Sequence, residues 1–423
     1  MDIIIEKSTA CGNITAPPSK SYAHRFLIGA ALACGKSKIE NVCLSEDIRA
    51  TIDCARALGA KITFDETSEK SQKIYVHGVN GTPKICGNFF CRESGSTLRF
   101  FLPLALLANS LSSGNADQKV VFHGAPRLIE RGISVYEEAL AFSANFEKRI
   151  FKNHGEIAVR GKLLPAKYVL RGNVSSQFFT GFLFALPLLN GNSELKILPP
   201  AESADYIEIT LKTLEKFDVT IEKTAKNEYV IAGNQFFQAG NFRVEGDFSN
   251  AAFLLALNAL GGNVNVNGLS EQSLQGDKIC IPLFHKLSEN FVEADLTNCP
   301  DLAPILFAVA AAKHGARFTG TRRLKIKESD RAEAMREELE KFGAKVKLFE
   351  NAAEIIPPQG GLQAPKTSLC SHGDHRIAMA VSILCTLTGG TVTGAEAVKK
   401  SYPDFFEALT SLGVHARLEN PKE

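Results

Sequence analysis

The chain has 423 residues, 45% apolar and 22% charged, which fits a soluble globular protein of two large domains better than one core. With 48 basic against 46 acidic residues the formal net charge is +2. That balance excludes a global field for nucleic acid or a membrane surface, so any basic site is a local concentration. Ten cysteines without a CxxC pair read as free thiols in a reducing cytosol, with no zinc set. The start, MDIIIEKSTACG, lacks the basic and apolar regions of a secretory signal or transit segment. Apolar stretches such as FFTGFLFALPLL are broken by Gly or Pro and too short to span a bilayer. A cytoplasmic protein, bacterial rather than plastid, is the expectation.

In chain order, the first predicted element is a helix, SKSYAHRFLIGAALA from Ser19, apolar all round after its first turn and therefore buried. A strand in GKSKIENV, a charged amphipathic helix in DIRATIDCARAL and a strand at LGAKI follow. The pattern restarts at SGSTLRFFLPLALLA from Ser94 and again at SSQFFTGFLFALPLL from Ser175. After the Ser175 helix come the strand NSELKIL, the helix ADYIEITLKTLEKF and the strand FDVTI. Three further copies begin with DFSNAAFLLALNAL at Asp247, PDLAPILFAVAAA at Pro300 and GDHRIAMAVSILCTL at Gly373. Their strands are GGNVNVNG, GARFTG with FGAKV, and GGTVTG with LGVHA. Six copies roughly 50 to 85 residues apart are too long and uneven for a thin solenoid and suit two globes of three units.

Polar residues collect at the first turns of the buried helices. A helix start presents free N–H groups and a partial positive charge, so it favours anions and disfavours cations. Yet Lys20 and Arg25 stand there with Ser21, Arg99 follows the Ser94-Gly95-Ser96-Thr97 turn, and Arg376 follows His375. Gly95 lacks the Cβ that would block a phosphate or carboxylate. Arg127 lies in the loop GAPRL, and Ser175-Ser176-Gln177 brings two hydroxyls and an amide where one serine would cap. In LKIKESDR, Lys327 and Arg331 share a helix face and repel, which a bound anion would relieve. Glu328 beside them is a candidate proton donor. Asp301 is either an N-cap or a general base. His372, Asp374 and His375 are either metal ligands or an anion-binding helix start, and Lys400 adds a further cation. Eight cations, Lys20, Arg25, Arg99, Arg127, Lys327, Arg331, Arg376 and Lys400, against two acid–base carboxylates, Asp301 and Glu328, suit small polyanionic substrates and proton transfer. No Walker loop, GxGxxG unit or EF-hand loop points to a nucleotide, dinucleotide or calcium cofactor.

The motifs PSKSYAHR, ESGSTLR, GAPRL, SSQFFTG, SADYIEIT, PDLAPIL, KIKESDR, GDHRIAMA and KKSYPDFF run in order from near residue 17 to residue 406. Together they resemble the 5-enolpyruvylshikimate-3-phosphate synthase family, the 3-phosphoshikimate 1-carboxyvinyltransferases of aromatic amino-acid synthesis and targets of glyphosate. The resemblance implies an α/β (α+β) fold, a two-globe inside-out α/β barrel with three βαβαββ units and buried helices in each globe. Residues 1–16 plus 243–423 would form the C-terminal globe and 17–242 an inserted one, with the active site in the cleft between them. The implied substrates are phosphoenolpyruvate and shikimate 3-phosphate, with no cofactor or metal, no nucleic acid or membrane partner, and a monomeric form. Ser175, Ser176, Ser203 and Lys327 would hold the shikimate phosphate and hydroxyls with Tyr206 nearby, and Ser21 and Arg25 the ring substituents and carboxylate. Lys20 and Gln177 would reach both substrates. Gly95, Arg127, Arg331, Arg376 and Lys400 would hold phosphoenolpyruvate. Asp301 would take the proton of the 5-hydroxyl and Glu328 would protonate the methylene carbon, with Lys20 and His375 completing the catalytic set.

The chain departs from the family pattern at Glu93, where Asn is frequent, at Arg323, and in SADY, which keeps Ser203 and Tyr206 but loses the Lys between them. Two related readings compete. One is the enolpyruvyl transferase acting on UDP-N-acetylglucosamine, which uses a loop Cys that has no counterpart beside Arg127. The other is a non-catalytic anion-binding homologue. A metal hydrolase built on His372, Asp374 and His375 is the reading from a different class.

Overall fold

The computed structural model describes residues 1–65, 72–112 and 118–418. It is a mixed α/β protein that divides into two compact units, Met1–Ser19 with Gly246–Glu423, and Lys20–Glu245. The division falls at 19/20 and 245/246, where the sequence placed 16/17 and 242/243.

The Lys20–Glu245 unit holds three four-stranded sheets of one design. In one, Phe89–Arg92 runs parallel to Val120–Gly124, which is antiparallel to Gly155–Gly161, itself hairpinned to Ala144–Ile150. The order strand, buried helix, strand, surface helix, hairpin repeats with Lys167–Arg171, Ser193–Leu198, Glu222–Ala225 and Glu228–Ile231. In the third sheet the first strand is supplied from the far end of the unit: Asn241–Arg243 lies parallel to Lys36–Val42. The strand expected in FDVTI begins later, at Glu222, because Asp218 turns the chain through φ +59° after the helix.

The Met1–Ser19 and Gly246–Glu423 unit has two such sheets and one reduced copy. Val292–Asp295, Ala316–Thr319, Ala352–Ile356 and Lys345–Leu348 form the first. In the second, Leu369–Cys370 and Gly390–Thr393 are completed by Ile3–Ile5, which pairs antiparallel with both Gly390–Thr393 and Ala416–Leu418. The third copy is only Cys11–Thr15 parallel to Asn263–Asn267, with no hairpin among the described residues.

The six helices Lys20–Leu32, Gly95–Leu111, Gln177–Ala185, Phe248–Ala259, Ala303–Ala312 and His375–Thr388 are buried almost throughout. Small residues set their spacing. A Cβ on Gly181 would come 2.3 Å from the Tyr136 hydroxyl and 2.5 Å from the Arg99 carbonyl, so only glycine lets the Gln177 and Gly95 helices approach. Pro103 inside the Gly95 helix removes the N–H that would satisfy the Arg99 carbonyl four residues back. The buried Tyr136 hydroxyl donates to that carbonyl at 2.6 Å instead. Among the described residues, no helix is long and apolar enough to cross a membrane.

Candidate active site

Each unit gathers charge at the starts of its buried helices. In the Gly246–Glu423 part, Asp301 was expected to be an N-cap or a base. It lies in a 3₁₀ turn before the Ala303 helix, whose N-cap is Leu302 with no side-chain cap bond. Its carboxylate instead meets three cations: Lys327 Nζ at 3.0 Å, Arg331 Nη1 at 2.7 Å and Arg376 Nη2 at 3.3 Å. The repulsion between Lys327 and Arg331 is thus relieved by a carboxylate of the chain itself. Burial works to raise Asp301, but the charges of Arg376, Lys327 and Arg331 outweigh it and hold the group well below the carboxylate range. Burial pushes Lys327 down to about 8, with Asp301 opposing.

Arg331 is 1% exposed and spreads its fork over three carboxylates. Beside Asp301 it donates from Nε to Asp374 Oδ2 at 2.8 Å and from Nη2 to Glu328 Oε2 at 2.8 Å. Asp374 is also the N-cap of the His375 helix, accepting from the Arg376 N–H at 2.9 Å. His375 is buried with Nδ1 3.7 Å from Asp374 Oδ1. Lys400 donates to the Gly373 carbonyl in the same turn. The three candidate metal ligands are not brought together. Asp374 serves Arg331, and His372, at φ +50°, turns its Nε2 to Glu338 at 2.8 Å. Arg323 donates to the Thr297 carbonyl at 2.6 Å, a backbone brace within its own unit.

Asp277, which the sequence did not single out, is a buried carboxyl pushed up to about 6 by burial and by the charge of Asp301, with Arg376 opposing. Its folded value lies above the unfolded value of about 3.9, so its ionisation weakens the fold as pH rises from about 4 to about 6 and no further above that. Asp277→Asn is therefore expected to stabilise the protein by about 2–3 kcal/mol at pH 8. The gain should shrink toward nothing near pH 4. Thermal unfolding of both proteins across that range checks it, and a gap independent of pH would refute the assignment.

In the Lys20–Glu245 unit, Lys20 donates to Asp47 Oδ2 at 2.7 Å, both side chains being mostly buried. The cation at the wrong end of a helix is thus balanced by an acid at the favoured end of the next helix, Glu46–Ala57. Arg25 is enclosed: Nε donates to Thr210 Oγ1 at 2.8 Å, Nη1 to the Ser21 carbonyl at 2.8 Å, and Nη2 to the Tyr206 carbonyl at 3.0 Å and Thr180 Oγ1 at 3.4 Å. Four of its five N–H groups are committed within the protein. Burial lowers it to about 10, still charged at neutral pH.

A Cβ on Gly95 would come 3.0 Å from Arg99 Nη1 and 3.2 Å from Arg131 Nη2, so two guanidinium groups close over that turn. Arg99 also donates to Gln177 Oε1, and Gln177 Nε2 donates to Ser96 Oγ at 2.9 Å. Arg127 lies nearer the surface, 3.8 Å from Glu130. At the Gln177 helix, Ser175 Oγ accepts from the Gln177 N–H at 3.3 Å, while the N-cap Ser176 makes no side-chain cap bond. Ser203 is buried at φ +58°, a conformation that costs energy for any residue with a Cβ, and Tyr206 follows with its ring 5.9 Å from the Arg25 guanidinium.

The residues missed from sequence are mainly acids and hydroxyls that serve the cations: Asp47, Asp277, Thr180 and Thr210. Asp47 reads locally as a helix-start acid, and the threonines as core.

A family model described as EPSP synthase (3-phosphoshikimate 1-carboxyvinyltransferase) matches residues 5–409. A protein of Clostridium novyi (strain NT) named 3-phosphoshikimate 1-carboxyvinyltransferase is 38% identical over 437 residues, covering 97% of each chain. One of the same name from Clostridium kluyveri is 39% identical over 425 residues, covering 95% of each. A solved structure of EPSP synthase from Acinetobacter baumannii superposes with a TM-score of 0.75 at 22% identity, covering 99% of this chain and 100% of that one, a likeness of fold.

Proposed function

The chain belongs to the EPSP synthase (3-phosphoshikimate 1-carboxyvinyltransferase) family, and from that premise we propose which of its residues carry the transfer. It is an enzyme that moves the enolpyruvyl group of phosphoenolpyruvate to the 5-hydroxyl of shikimate 3-phosphate, releasing phosphate. The charge clusters of the two units work on the same pair of substrates. Lys20, Ser21, Arg25, Ser175, Ser176, Gln177, Ser203, Tyr206, Asp301 and Lys327 serve shikimate 3-phosphate. Lys20, Gly95, Arg127, Gln177, Arg331, Arg376 and Lys400 serve phosphoenolpyruvate. Each unit is taken as an inside-out α/β barrel and the active form as a single cytoplasmic chain, for which the six buried helices and the family precedent are the support.

The observation that carries the assignment is the Asp301 carboxylate under three cations. A base must be ionised to accept a proton, and Asp301 is held ionised. The same cations make it a weak base. Substrate carboxylate and phosphate oxygens compete for Lys327, Arg331 and Arg376, and each cation they draw off strengthens Asp301 at the time the 5-hydroxyl arrives. Glu328, ion-paired to Arg331 without substrate, takes up a proton from solvent once the substrate anions draw that arginine off. It gives that proton to the methylene carbon while the hydroxyl oxygen adds to the enol carbon and Asp301 takes the hydroxyl proton. The tetrahedral adduct then loses phosphate, which takes the proton held by Asp301, and one methyl proton returns to the ionised Glu328, restoring the vinyl group and both carboxyl groups. The cations stabilise the carboxylate and phosphate charge through both steps, Arg as a bidentate fork.

Phosphate release tests this. Purified protein is given phosphoenolpyruvate and shikimate 3-phosphate, each omitted in turn, with UDP-N-acetylglucosamine as the alternative acceptor. Release that requires both substrates is expected. Release with the sugar nucleotide alone, or none from folded protein, would overturn the assignment.

A further inference from the structure

Four buried side chains form one hydrogen-bonded chain through the Lys20–Glu245 unit. His24 Nδ1 lies 2.7 Å from Thr51 Oγ1, which lies 2.8 Å from Thr97 Oγ1. Thr97 Oγ1 donates to Ser94 Oγ at 2.7 Å. None of the four is more than 1% exposed.

The hydroxyls allow either sense, and the direction is assigned from the last member. Ser94 is the N-cap of the Gly95 helix, and its Oγ also accepts the Thr97 N–H at 3.2 Å. With the Thr97 hydroxyl hydrogen on Ser94, Thr97 accepts from Thr51 and Thr51 accepts from His24. His24 therefore carries its hydrogen on Nδ1. Its Nε2 is enclosed and has no hydrogen-bond partner among the described residues. Burial, then the charges of Lys20 and Arg25, holds His24 well below its ordinary value, so the ring is neutral. Its edge rests against Phe100 at 6.2 Å. A leucine or phenylalanine would fill such a place without leaving a buried nitrogen unpaired. What the imidazole adds is the Nδ1–H.

Every link sits beside a proposed substrate contact. His24 is one turn beyond Lys20 and next to Arg25. Thr51 is one turn beyond Asp47, the partner of Lys20. Ser94 and Thr97 bracket Gly95. We propose that His24 is a positioning residue for phosphoenolpyruvate: its Nδ1–H, passed on through Thr51 and Thr97, fixes the Ser94–Gly95 turn relative to the Lys20–Asp47 pair. The assignment rests on the reading of Lys20 and Gly95 as phosphoenolpyruvate contacts.

The test compares His24→Leu with His24→Asn. Leucine fills the space without a donor. Asparagine places an amide N–H near the position of Nδ1–H and keeps the chain. His24→Leu is expected to raise KM for phosphoenolpyruvate roughly tenfold or more, because small misplacements of binding groups are costly. KM for shikimate 3-phosphate should rise several-fold less than that for phosphoenolpyruvate, since of the groups fixed by the chain only Lys20 reaches both substrates, and His24→Asn should recover most of the loss. Thr51→Val cuts the same chain one link on with little change of volume and should reproduce the His24→Leu result. Unchanged KM for phosphoenolpyruvate in both His24→Leu and Thr51→Val overturns the proposal. So does an equal rise for both substrates, or asparagine performing no better than leucine. Absence of turnover in the unsubstituted enzyme would instead overturn the functional reading, so the two failures are distinct.

Discussion

Replacing Arg331 by methionine is expected to destabilise the protein by about 3–5 kcal/mol at pH 8, the cost of leaving buried carboxylates without their cation. Arg331 is almost wholly enclosed and satisfies Asp301, Glu328 and Asp374 at once. No surface substitution has comparable leverage, since exposed ion pairs contribute about 1 kcal/mol or less. Lysine should rescue little, because a point charge cannot reach three acceptors as a planar fork does. The loss should also depend on pH. Asp301 and Asp374 are held below their unfolded values, so the stability they contribute is present above about pH 4 and is lost as pH falls through their folded values. The gap between Arg331→Met and the parent therefore narrows in acid. Urea midpoints at pH 8 and at about pH 3, below the unfolded values, measure it. A loss under about 1 kcal/mol at pH 8 would show that the three acids do not depend on this arginine.

Asp301→Asn is expected to lower kcat by about 10²- to 10⁴-fold, the usual worth of a positioned base, while leaving substrate binding intact or tighter. The second half distinguishes the mechanism from simple disruption. On the proposed assignment Asp301 competes with the anionic substrates for Lys327, Arg331 and Arg376, so neutralising it takes the carboxylate from Lys327 and Arg376 and one of three from Arg331. The unliganded variant should be less stable than the parent, since Lys327 and Arg376 then face Arg331 without that shared carboxylate. Saturating shikimate 3-phosphate should restore part of that stability, as any ligand that binds only the folded form does. Single-turnover phosphate release and titration calorimetry read the two halves separately. A kcat within about tenfold of the parent would place the base elsewhere.

How much of this was legible beforehand depended on sequence distance. The six buried helices announce themselves by a polar or small start and an unbroken apolar circumference, and their bounds in the structure are close to those read. The surface helices Glu46–Ala57 and Asp205–Glu215 were equally visible through their charge periodicity. What escaped was the first strand of most sheets and part of their hairpins. Asn241–Arg243 and Leu369–Cys370 are too short to show alternation, and a strand supplied from the other end of a unit has no local signal at all. The cations of the candidate site were equally plain. Their partners were not, because Lys20 and Asp47 are 27 residues apart and Arg331 and Asp374 are 43 apart. An acid that looks like a helix-start residue cannot be told locally from one that balances a buried charge. Asp374 illustrates this: the sequence leaves it between a metal ligand and an anion-binding helix start, while in the structure it caps the His375 helix and pairs with Arg331. The hydroxyl chain from His24 was invisible for a similar reason: Thr51 and Thr97 carry no local mark beyond sitting in helices.

The sheet closed by Ile3–Ile5 has a consequence for the order in which the molecule is made. That strand leaves the ribosome before any of Lys20–Glu245, yet it pairs with Gly390–Thr393 and Ala416–Leu418, which leave after all of it. At ordinary elongation speeds it waits tens of seconds for its neighbours. The whole of Lys20–Glu245 emerges during that wait, and every strand of its three sheets comes from its own length of chain. The inserted unit can therefore finish folding on the nascent chain, while the unit that encloses it in sequence cannot close until Ala416–Leu418 has emerged.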